Sequence, residues 1–307
     1  MRNSGRKIVL ATRGSPLALR QAGGIRDLIR EKYPGFEPEL AVVKTRGDLV
    51  QDKPLAALGG KGLFVREIEE ALLQGRADLA VHSVKDLPAD LPPGLVLGVV
   101  PPGESPEDVL LSVNYAGLED LPEGARVGTG SLRRRAQLLA LRPDLRLLDL
   151  RGNVDTRLRR LREGDFEAVV LALAGLRRLG LRGPRESVLP PEIFLPACGQ
   201  GALGLEYMEE REDLAELLAF MEHRPTRRRV EAERAFLRVL GGNCQTPIAA
   251  HTSFPQEGTL LLDGLVASAD GVRVIRGSVS GRAAEAEGLG RELAERILAA
   301  GGGEILF

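Results

Sequence analysis

Strand and helix patterns alternate along the first two thirds of this 307-residue chain, and this alternation constrains the fold more than any other feature. Apolar runs typical of buried strands occupy residues 7–12 and 78–83. A Ser-Pro pair at 15–16 is typical of a helix N-terminus, and residues 62–75 have helical apolar spacing. Because βαβ order brings strands side by side in parallel, the sequence predicts an α/β domain.

Two Pro/Gly-rich passages, at 99–109 and 184–204, divide the chain. A second alternation of strands and helices lies between them, and the second passage is expected to return the chain to the first domain. From about Arg224 the pattern changes to a helix followed by antiparallel strands and a closing helix. The predicted fold class is α/β, with two α/β domains and a smaller α+β domain. The predicted domains are 1–101 with 200–220, then 106–195, and then 224–307.

The composition is that of an ordinary soluble protein, with 43% hydrophobic residues and a net charge of −1. Its two cysteines, Cys198 and Cys244, cannot form a disulfide framework and favour a reducing cytosol. No secretory signal is visible, and the longest apolar stretch is too short to span a bilayer. No His/Cys/Asp spacing resembles a metal site. We therefore expect a cytoplasmic protein without metal or membrane association.

Arginines are concentrated in residues 126–162, where eleven of them face three aspartates. Arg133, Arg134 and Arg151 lie at strand-to-helix corners, where free backbone N–H groups also favour an anion. Guanidinium groups bind carboxylates and phosphates bidentately, so ligand contact is predicted for these three. A solvated helix face is an equal alternative for four others, namely Arg135, Arg159, Arg160 and Arg162.

The predicted ligand is a small molecule with several negative charges. Three tyrosines, no tryptophan and a net charge near zero argue against a nucleic-acid surface. Open α/β sheets bind ligands in a crevice at the carboxyl ends of their strands, which is where these corners lie.

Three further segments carry groups capable of chemistry. The stretch HSVKDLP (82–88) places Lys85 and Asp86 at a strand end, where Asp86 could stabilise positive charge and move protons. A surface ion pair is the alternative for these two, and His82 is interpreted as a buried strand histidine. The glycines around Lys61 suggest a loop that brings this lysine to an anion. Cys244 follows Gly-Gly-Asn and precedes a proline, so it is presented in a turn rather than packed in a helix or strand.

Taken together, these stretches resemble the porphobilinogen deaminase (hydroxymethylbilane synthase) family. The resemblance covers essentially the whole chain and lies in eight motifs that occur in order: ATRGSPLAL (11–19), GGKGLFVREIE (59–69), HSVKDLP (82–88), GTGSLRRRAQL (128–138), LRGNVDTRL (150–158), AGLRRLGL (174–181), PACGQGALGLE (196–206) and GGNCQTPIA (241–249).

The resemblance implies two periplasmic-binding-protein-like (type II) α/β domains flanking a cleft, and an α+β domain bearing the cysteine. It implies a monomeric enzyme that joins four porphobilinogen molecules with release of ammonia and then hydrolyses off hydroxymethylbilane. The implied cofactor is dipyrromethane, linked through a thioether to Cys244, and the implied catalytic residue is Asp86. The implied cofactor-binding positions are Ser15, Lys85, Asp86, Thr129, Ser131, Arg133, Arg134, Arg151 and Gly152. The implied substrate-binding positions are Arg13, Lys61, Arg151, Arg157, Arg178 and Gln200.

The sequence departs from the commoner family pattern at three positions. Gly130 stands where serine is frequent, Asp155 stands where glycine is frequent, and Asn243 lies within GGNCQ. Gly130 lacks a possible hydroxyl contact, which leaves Thr129 and Ser131 to serve that loop. Asp155 is expected to point away from an anion-binding cleft or to pair with an arginine.

Two other classes of protein are alternatives. A non-catalytic periplasmic-type solute-binding protein would explain two α/β lobes and anion pockets, but it requires neither a third domain nor a presented cysteine. A cysteine hydrolase using Cys244 with His251 has no supporting acid or oxyanion motif. A thioether-linked dipyrrole that survives denaturation would separate the enzyme from both.

Overall fold

The computed structural model describes residues 7–49, 62–242 and 246–306, which form three β-sheets with covering helices. The strands are β1 (Val9–Arg13), β2 (Glu39–Val43), β3 (Leu79–Ser83), β4 (Leu95–Val99), β5 (Asp108–Ser112), β6 (Arg126–Gly128), β7 (Arg146–Leu148), β8 (Ala168–Ala172), β9 (Arg185–Leu189), β10 (Leu203–Met208), β11 (Ile248–Gln256), β12 (Thr259–Ala267) and β13 (Val274–Arg282). The α-helices are α1 (Pro16–Lys32), α2 (Arg46–Leu49), α3 (Arg66–Leu73), α4 (Leu132–Leu141), α5 (Val154–Arg162), α6 (Leu173–Leu179), α7 (Glu212–Leu218), α8 (Arg224–Val239), α9 (Ala286–Ile297) and α10 (Gly303–Leu306).

The first sheet has the strand order β2-β1-β3-β10-β4. Strand β1 runs parallel to β2 and β3, whereas β10 runs antiparallel to β3 and β4. Helix α1 begins where the sequence predicts, because the Ser15 hydroxyl accepts a hydrogen bond from the Ala18 N–H and Pro16 occupies the first turn. Its buried face includes Ile25 and Ile29, which pack against this sheet.

The second sheet repeats this arrangement in the order β7-β6-β8-β5-β9. Strand β6 is parallel to β7 and β8, and β5 is antiparallel to β8 and β9. In each sheet the antiparallel strand is the first one entered after the chain crosses from the other sheet. The chain crosses once between β4 and β5 and returns between β9 and β10. These two linked α/β units confirm the predicted fold class.

A three-stranded antiparallel meander, β11-β12-β13, forms the third sheet. Helices α8 and α9 pack on it, with Phe236 and Leu293 wholly buried at the contact. Gly264 of β12 permits this approach, since a Cβ there would lie 2.6 Å from the Phe236 ring. The α+β character predicted for the last third of the chain is therefore confirmed.

The sequence interpretation missed two strands of the second sheet. Strand β5 begins two residues after Pro106, and β9 lies within the second proline-rich passage, so both were read as parts of crossings. The buried pattern of β5 is only five residues long and follows a segment rich in Pro and Gly. Among the residues that the structure describes, no helix is both long and apolar enough to cross a bilayer.

Candidate active site

The turn that carries Lys85 and Asp86 directly continues strand β3. It is a short 3-10 helix, Val84–Asp86, anchored by the wholly buried Val84 side chain. The Val84 N–H also donates to the carbonyl of Ala202, at 3.1 Å, next to β10. The buried side chain and the backbone hydrogen bond of Val84 fix the turn, so Lys85 and Asp86 are held at the end of β3, where both are partly exposed.

Asp86 lines a pocket in the first α/β unit together with Arg13 and Ser15. The guanidinium carbon of Arg13 lies 4.1 Å from the centroid of the Phe64 ring, which also lines the pocket. Arg13 and Ser15 were both predicted to bind ligand, and the fold brings them together with Asp86. His82 closes the pocket from the strand side, as the interpretation of it as a strand histidine requires.

Lys85 faces the second α/β unit. Its Nζ donates to Oε1 of Gln200 at 3.2 Å. Burial lowers the pKa of Lys85 to about 8; the positive charge of Arg134 adds to this effect and Asp86 and Asp108 oppose it. Because burial and Arg134 disfavour the charged form of Lys85, an anion placed beside its ammonium group would stabilise that form.

Asp108, at the start of β5, fixes the two predicted arginines of α4. One carboxylate oxygen accepts from Arg133 Nη1 at 2.7 Å, and the other accepts from Arg134 Nη2 at 2.7 Å and Nε at 3.1 Å. Asp108 is wholly buried, and Arg133 and Arg134 are only 4% and 6% exposed. Burial alone would raise the pKa of Asp108, but the two guanidinium charges outweigh it and hold this pKa well below its usual range.

Gln200 completes this network. Its Nε2 donates to Asp108 Oδ1 at 2.9 Å and to the Pro106 carbonyl at 2.7 Å, while its Oε1 accepts from Lys85. The Gln200 side chain, in the returning crossing, thus connects the turn that carries Lys85 and Asp86 in the first unit to Asp108 and its two arginines in the second. The fold brings together Gln200 and Lys85, which were both predicted as site residues, and Asp108 is the group that the sequence interpretation missed.

Thr129 and Ser131 shape the loop before α4. The Ser131 hydroxyl accepts from the Arg134 N–H at 3.4 Å and caps the helix, and the Thr129 hydroxyl accepts from the Ser131 N–H at 3.2 Å. A Cβ at Gly130 would lie 3.0 Å from the carbonyl oxygen of Leu150, so glycine allows the loop before α4 to approach the loop after β7 closely.

The second basic corner lies at the start of α5. Arg157 Nε donates to the carbonyl of Gly152 at 2.8 Å, and Gly152 has a φ of 101°, a backbone conformation that favours glycine. Burial lowers the pKa of Arg157 to about 10, and the charges of Arg134 and Arg151 lower it further. Within the described ranges, Arg151 has no hydrogen bond or ion pair. Asp155 is exposed, in agreement with the expectation that it points away from the cleft.

Arg178 approaches the returning crossing from α6. Its Nη2 donates to the carbonyl of Gly201 at 2.6 Å, one residue after Gln200. Burial is the main cause that lowers the pKa of Arg178, with Glu104 opposing it and Arg229 adding to it. Glu104 also forms an ion pair with Arg177, at 2.9 Å, so its negative charge is shared between Arg177 and Arg178.

Two predicted residues, Lys61 and Cys244, lie outside the described residues, as does Asn243. The described flanks show α8 ending at Val239 and β11 beginning at Ile248. The other cysteine, Cys198, is buried, and burial raises the pKa of its thiol. A thiol held protonated in this way is a poor nucleophile, so Cys198 is unsuited to covalent chemistry.

The residues described so far define a class of protein: two α/β units joined by two crossings, with a basic, partly buried cleft and a third α+β unit. Arg134 acts electrostatically on both Lys85 and Arg157, and Arg151 also acts on Arg157, while Asp108 offsets the charge of Arg134. Such a group of cations is suited to a small polyanion, and Asp86 adjoins it next to Lys85.

Comparison with known proteins gives the family. The sequence model described as "Porphobilinogen deaminase, dipyromethane cofactor binding domain" matches residues 8–216, and "Porphobilinogen deaminase, C-terminal domain" matches residues 227–299. A porphobilinogen deaminase of Nitratidesulfovibrio vulgaris (strain Miyazaki F) is 59% identical over 98% of this chain and 96% of its own. One from Roseiflexus castenholzii is 50% identical over 100% of this chain and 99% of its own.

The chain therefore belongs to the porphobilinogen deaminase family. It is a transferase of tetrapyrrole biosynthesis and carries the family's dipyrromethane-binding domain. Among solved structures, a YaeC-family lipoprotein from Enterococcus faecalis covers 72% of this chain and 93% of its own, with a TM-score of 0.42 and 17% identity. The family assignment spans both α/β units and the C-terminal unit, and it does not favour the alternative of a non-catalytic solute-binding protein.

Proposed function

We propose that the chain condenses four porphobilinogen molecules on a dipyrromethane primer linked through Cys244, and that Asp86 is the carboxylate that carries the reaction. The observation that supports this most directly is the position of Asp86, which lies in a pocket with Arg13 and Ser15 beside a continuous run of basic groups. The proposed units are residues 1–101 with 200–220, residues 106–195, and residues 224–307.

The residues of the cleft fit a dipyrromethane. Each pyrrole ring of such a group bears an acetate and a propionate, so two rings bring four carboxylates. Arg157 is flanked by Arg134 and Arg151, and no carboxylate is among the groups that shift its pKa. Arg133 Nε is buried without a hydrogen-bond partner among the described residues. Arg151 and Arg157 gain free energy from carboxylates that the described parts of the chain do not place beside them.

In this proposal the residues have separate tasks. The dipyrromethane, when bound, supplies the nucleophilic pyrrole carbon. Arg151 and Arg157 bind its carboxylates and those of the growing chain, together with Arg178 and Lys85, and Lys61 is proposed to share this role. Arg133 and Arg134 contribute mainly as buried charges, since Asp108 and backbone carbonyls occupy most of their donors. Ser15, Thr129, Ser131, Gly152 and Gln200 position these groups through the contacts described above.

Asp86 acts on the substrate. When the C–N bond of the aminomethyl group breaks and ammonia leaves, positive charge develops on the substrate's pyrrole. The Asp86 carboxylate stabilises that charge at the pyrrole N–H. A carboxylate oxygen of Asp86 would also accept the proton that is released when the new C–C bond is made. Water finally cleaves the product from the primer.

The substitution that tests this role is Asp86→Asn, which keeps the shape of the side chain and removes its charge. We expect kcat to fall by about 10²–10⁴, with much of the substrate affinity retained. Asp86→Glu keeps the charge and should lose less. Asp90→Asn is a matched control four residues along the chain, because Asp90 pairs with Arg238 on the surface. Turnover of Asp86→Asn at the parental rate, with its cofactor present, would assign the reaction to another group.

The assembly state and location belong to the same proposal. The family resemblance supports a monomer with porphobilinogen as its small-molecule partner. A net charge of −1 argues against nucleic acid as a partner, and only two cysteines support a cytoplasmic location. Sedimentation at micromolar concentration tests the monomer: a single species of about twice the chain mass of 33.0 kDa would contradict it.

A further inference from the structure

Three titratable side chains are buried together on the face of the first sheet that α3 covers. Strand β10 pairs with β3 so that Glu206 lies opposite Ala80, and directly opposite residues point to the same face. His82 lies two residues beyond Ala80 on β3 and therefore shares that face. Helix α3 packs there through Ile68 and brings Glu69 to the same place. Glu69, His82 and Glu206 are called the buried cluster below.

The cluster is tightly enclosed. His82 Nε2 lies 2.9 Å from Glu206 Oε2, and the exposures of the two side chains are 3% and 0%. Glu69 is 7% exposed. Within the described parts of the chain, Glu69 Oε1 and both carboxylate oxygens of Glu206 have no well-aligned hydrogen-bond partner. Buried carboxylates without such partners are stabilised by holding protons or by sharing them.

The proton count of the cluster changes close to neutral pH. Burial raises the pKa of Glu69 to about 7; the charge of Glu206 adds to this, and His82 opposes it. Loss of the Glu69 proton adds one negative charge to the cluster. The other charged groups that act on it are Arg66 and Glu70 from α3 and Arg234 from α8.

The cluster is directly behind the proposed reaction centre. His82 lines the same pocket as Asp86, with its Nε2 directed to Glu206. Strand β3 continues from His82 into the turn that carries Lys85 and Asp86. A change of one charge in the cluster therefore acts through a few buried side chains, where screening by solvent is weak.

We propose that the buried cluster is an electrostatic positioning device for the catalytic turn, and that kcat rises when the cluster loses one proton. This inference rests on the proposed function, in which positive charge develops on the substrate's pyrrole beside Asp86. The negative charge that Glu69 gains on ionisation lies behind the pocket and stabilises that developing positive charge. The proton moves between Glu69 and solvent, with His82 and Glu206 setting the pH at which it leaves.

The first test is the pH dependence of kcat for the cofactor-loaded protein and its Glu69→Gln variant. The parent should show an acid limb near pH 7. Because the glutamine of Glu69→Gln cannot ionise, kcat of this variant should lack that limb and stay roughly threefold to tenfold below the parental value at pH 8. KM should change little, since Glu69 touches no substrate. Ile68→Val is the control: it alters the same buried helix face without changing a charge, and should keep the parental profile.

A second readout does not depend on activity. The pKa of Glu69 is raised on folding, so folded protein holds this proton between about pH 4.5 and pH 7 and the unfolded chain does not. The stability it contributes is fully present below pH 4.5 and is lost as the pH rises through 7. The urea midpoint of the parent should therefore fall between pH 5 and pH 8 relative to that of Glu69→Gln.

The outcomes separate this inference from the function on which it rests. If Glu69→Gln keeps the acid limb and the parental pH dependence of its urea midpoint, the buried cluster does not act in this way, whatever Asp86 does. If Asp86→Asn is fully active, the proposed function fails, and the urea midpoints still report the cluster. Should Glu69→Gln fail to fold, Glu206→Gln is the second variant. It removes the charge that helps hold the proton on Glu69, so an unshifted acid limb there overturns the inference.

Discussion

Asp108→Asn removes the one charge that holds two buried arginines in the cleft. In the parent, Asp108 accepts three hydrogen bonds from Arg133 and Arg134 and one from Gln200, and it is wholly buried. The amide keeps one acceptor oxygen but leaves two guanidinium charges uncompensated. Loss of one partner from a buried ion pair costs about 3–5 kcal/mol, and we expect the lower end because part of the hydrogen bonding remains.

Urea unfolding measures this change, with the free energy of unfolding extrapolated linearly to zero denaturant. Asp144→Asn is the control, because Asp144 also pairs with an arginine, Arg142, but lies partly exposed, where solvent screens the pair, and should lose much less stability. The pKa of Asp108 is lowered on folding, so its contribution is present above about pH 4 and lost as the pH falls below that value. Asp108→Asn should lack that acid dependence. Equal and small losses of unfolding free energy in the two variants would refute the claim that Asp108 holds Arg133 and Arg134 in the cleft.

Two further predictions concern the basic groups of the cleft. Arg151→Leu should raise KM roughly tenfold to hundredfold without loss of folding, since Arg151 has no ion pair in the described parts of the chain. The control Arg159→Leu, which removes an exposed pair with Glu163, should leave KM unchanged. Equal KM values in the two variants would mean that Arg151 lies on a solvated surface and does not bind substrate. Pulse acetylation followed by peptide mass spectrometry measures the pH at which half of Lys85 is modified. This pH should be near 8 in Cys244→Ser protein and higher in the cofactor-loaded parent, because the cofactor's carboxylates favour the ammonium form. The same pH in both proteins would show that Lys85 does not contact the cofactor.

Residues beside strand ends could be predicted from the sequence alone. Lys85, Asp86, Arg151 and Gly152 each follow a recognisable strand, and the carboxyl ends of neighbouring parallel strands meet at one edge of a sheet. Their types, two cations, a carboxylate and a glycine, already indicated anion binding. Local pattern was sufficient because the chemistry and the structural signal lie in the same short segment.

Asp108 could not be predicted in this way. Its partners Arg133 and Gln200 are 25 and 92 residues away in sequence, and they meet only because β5 enters the second sheet as its antiparallel strand. The same holds for Glu206, which reaches His82 because β10 inserts between β3 and β4. The hydrogen bonds that Arg133 and Arg134 donate to Asp108 depend on this long-range strand pairing. An aspartate opening an apolar five-residue strand was the available signal.

The central claim is that the basic cleft holds a chain of pyrroles grown from Cys244. Intact mass under denaturing conditions tests it most directly. The parent should exceed its sequence mass by two pyrrole units and, after brief exposure to porphobilinogen, show a ladder in which each step equals porphobilinogen minus ammonia. Cys198→Ser should give the same ladder, and Cys244→Ser should show the bare polypeptide mass. An active parent with the mass of the bare polypeptide would contradict the account.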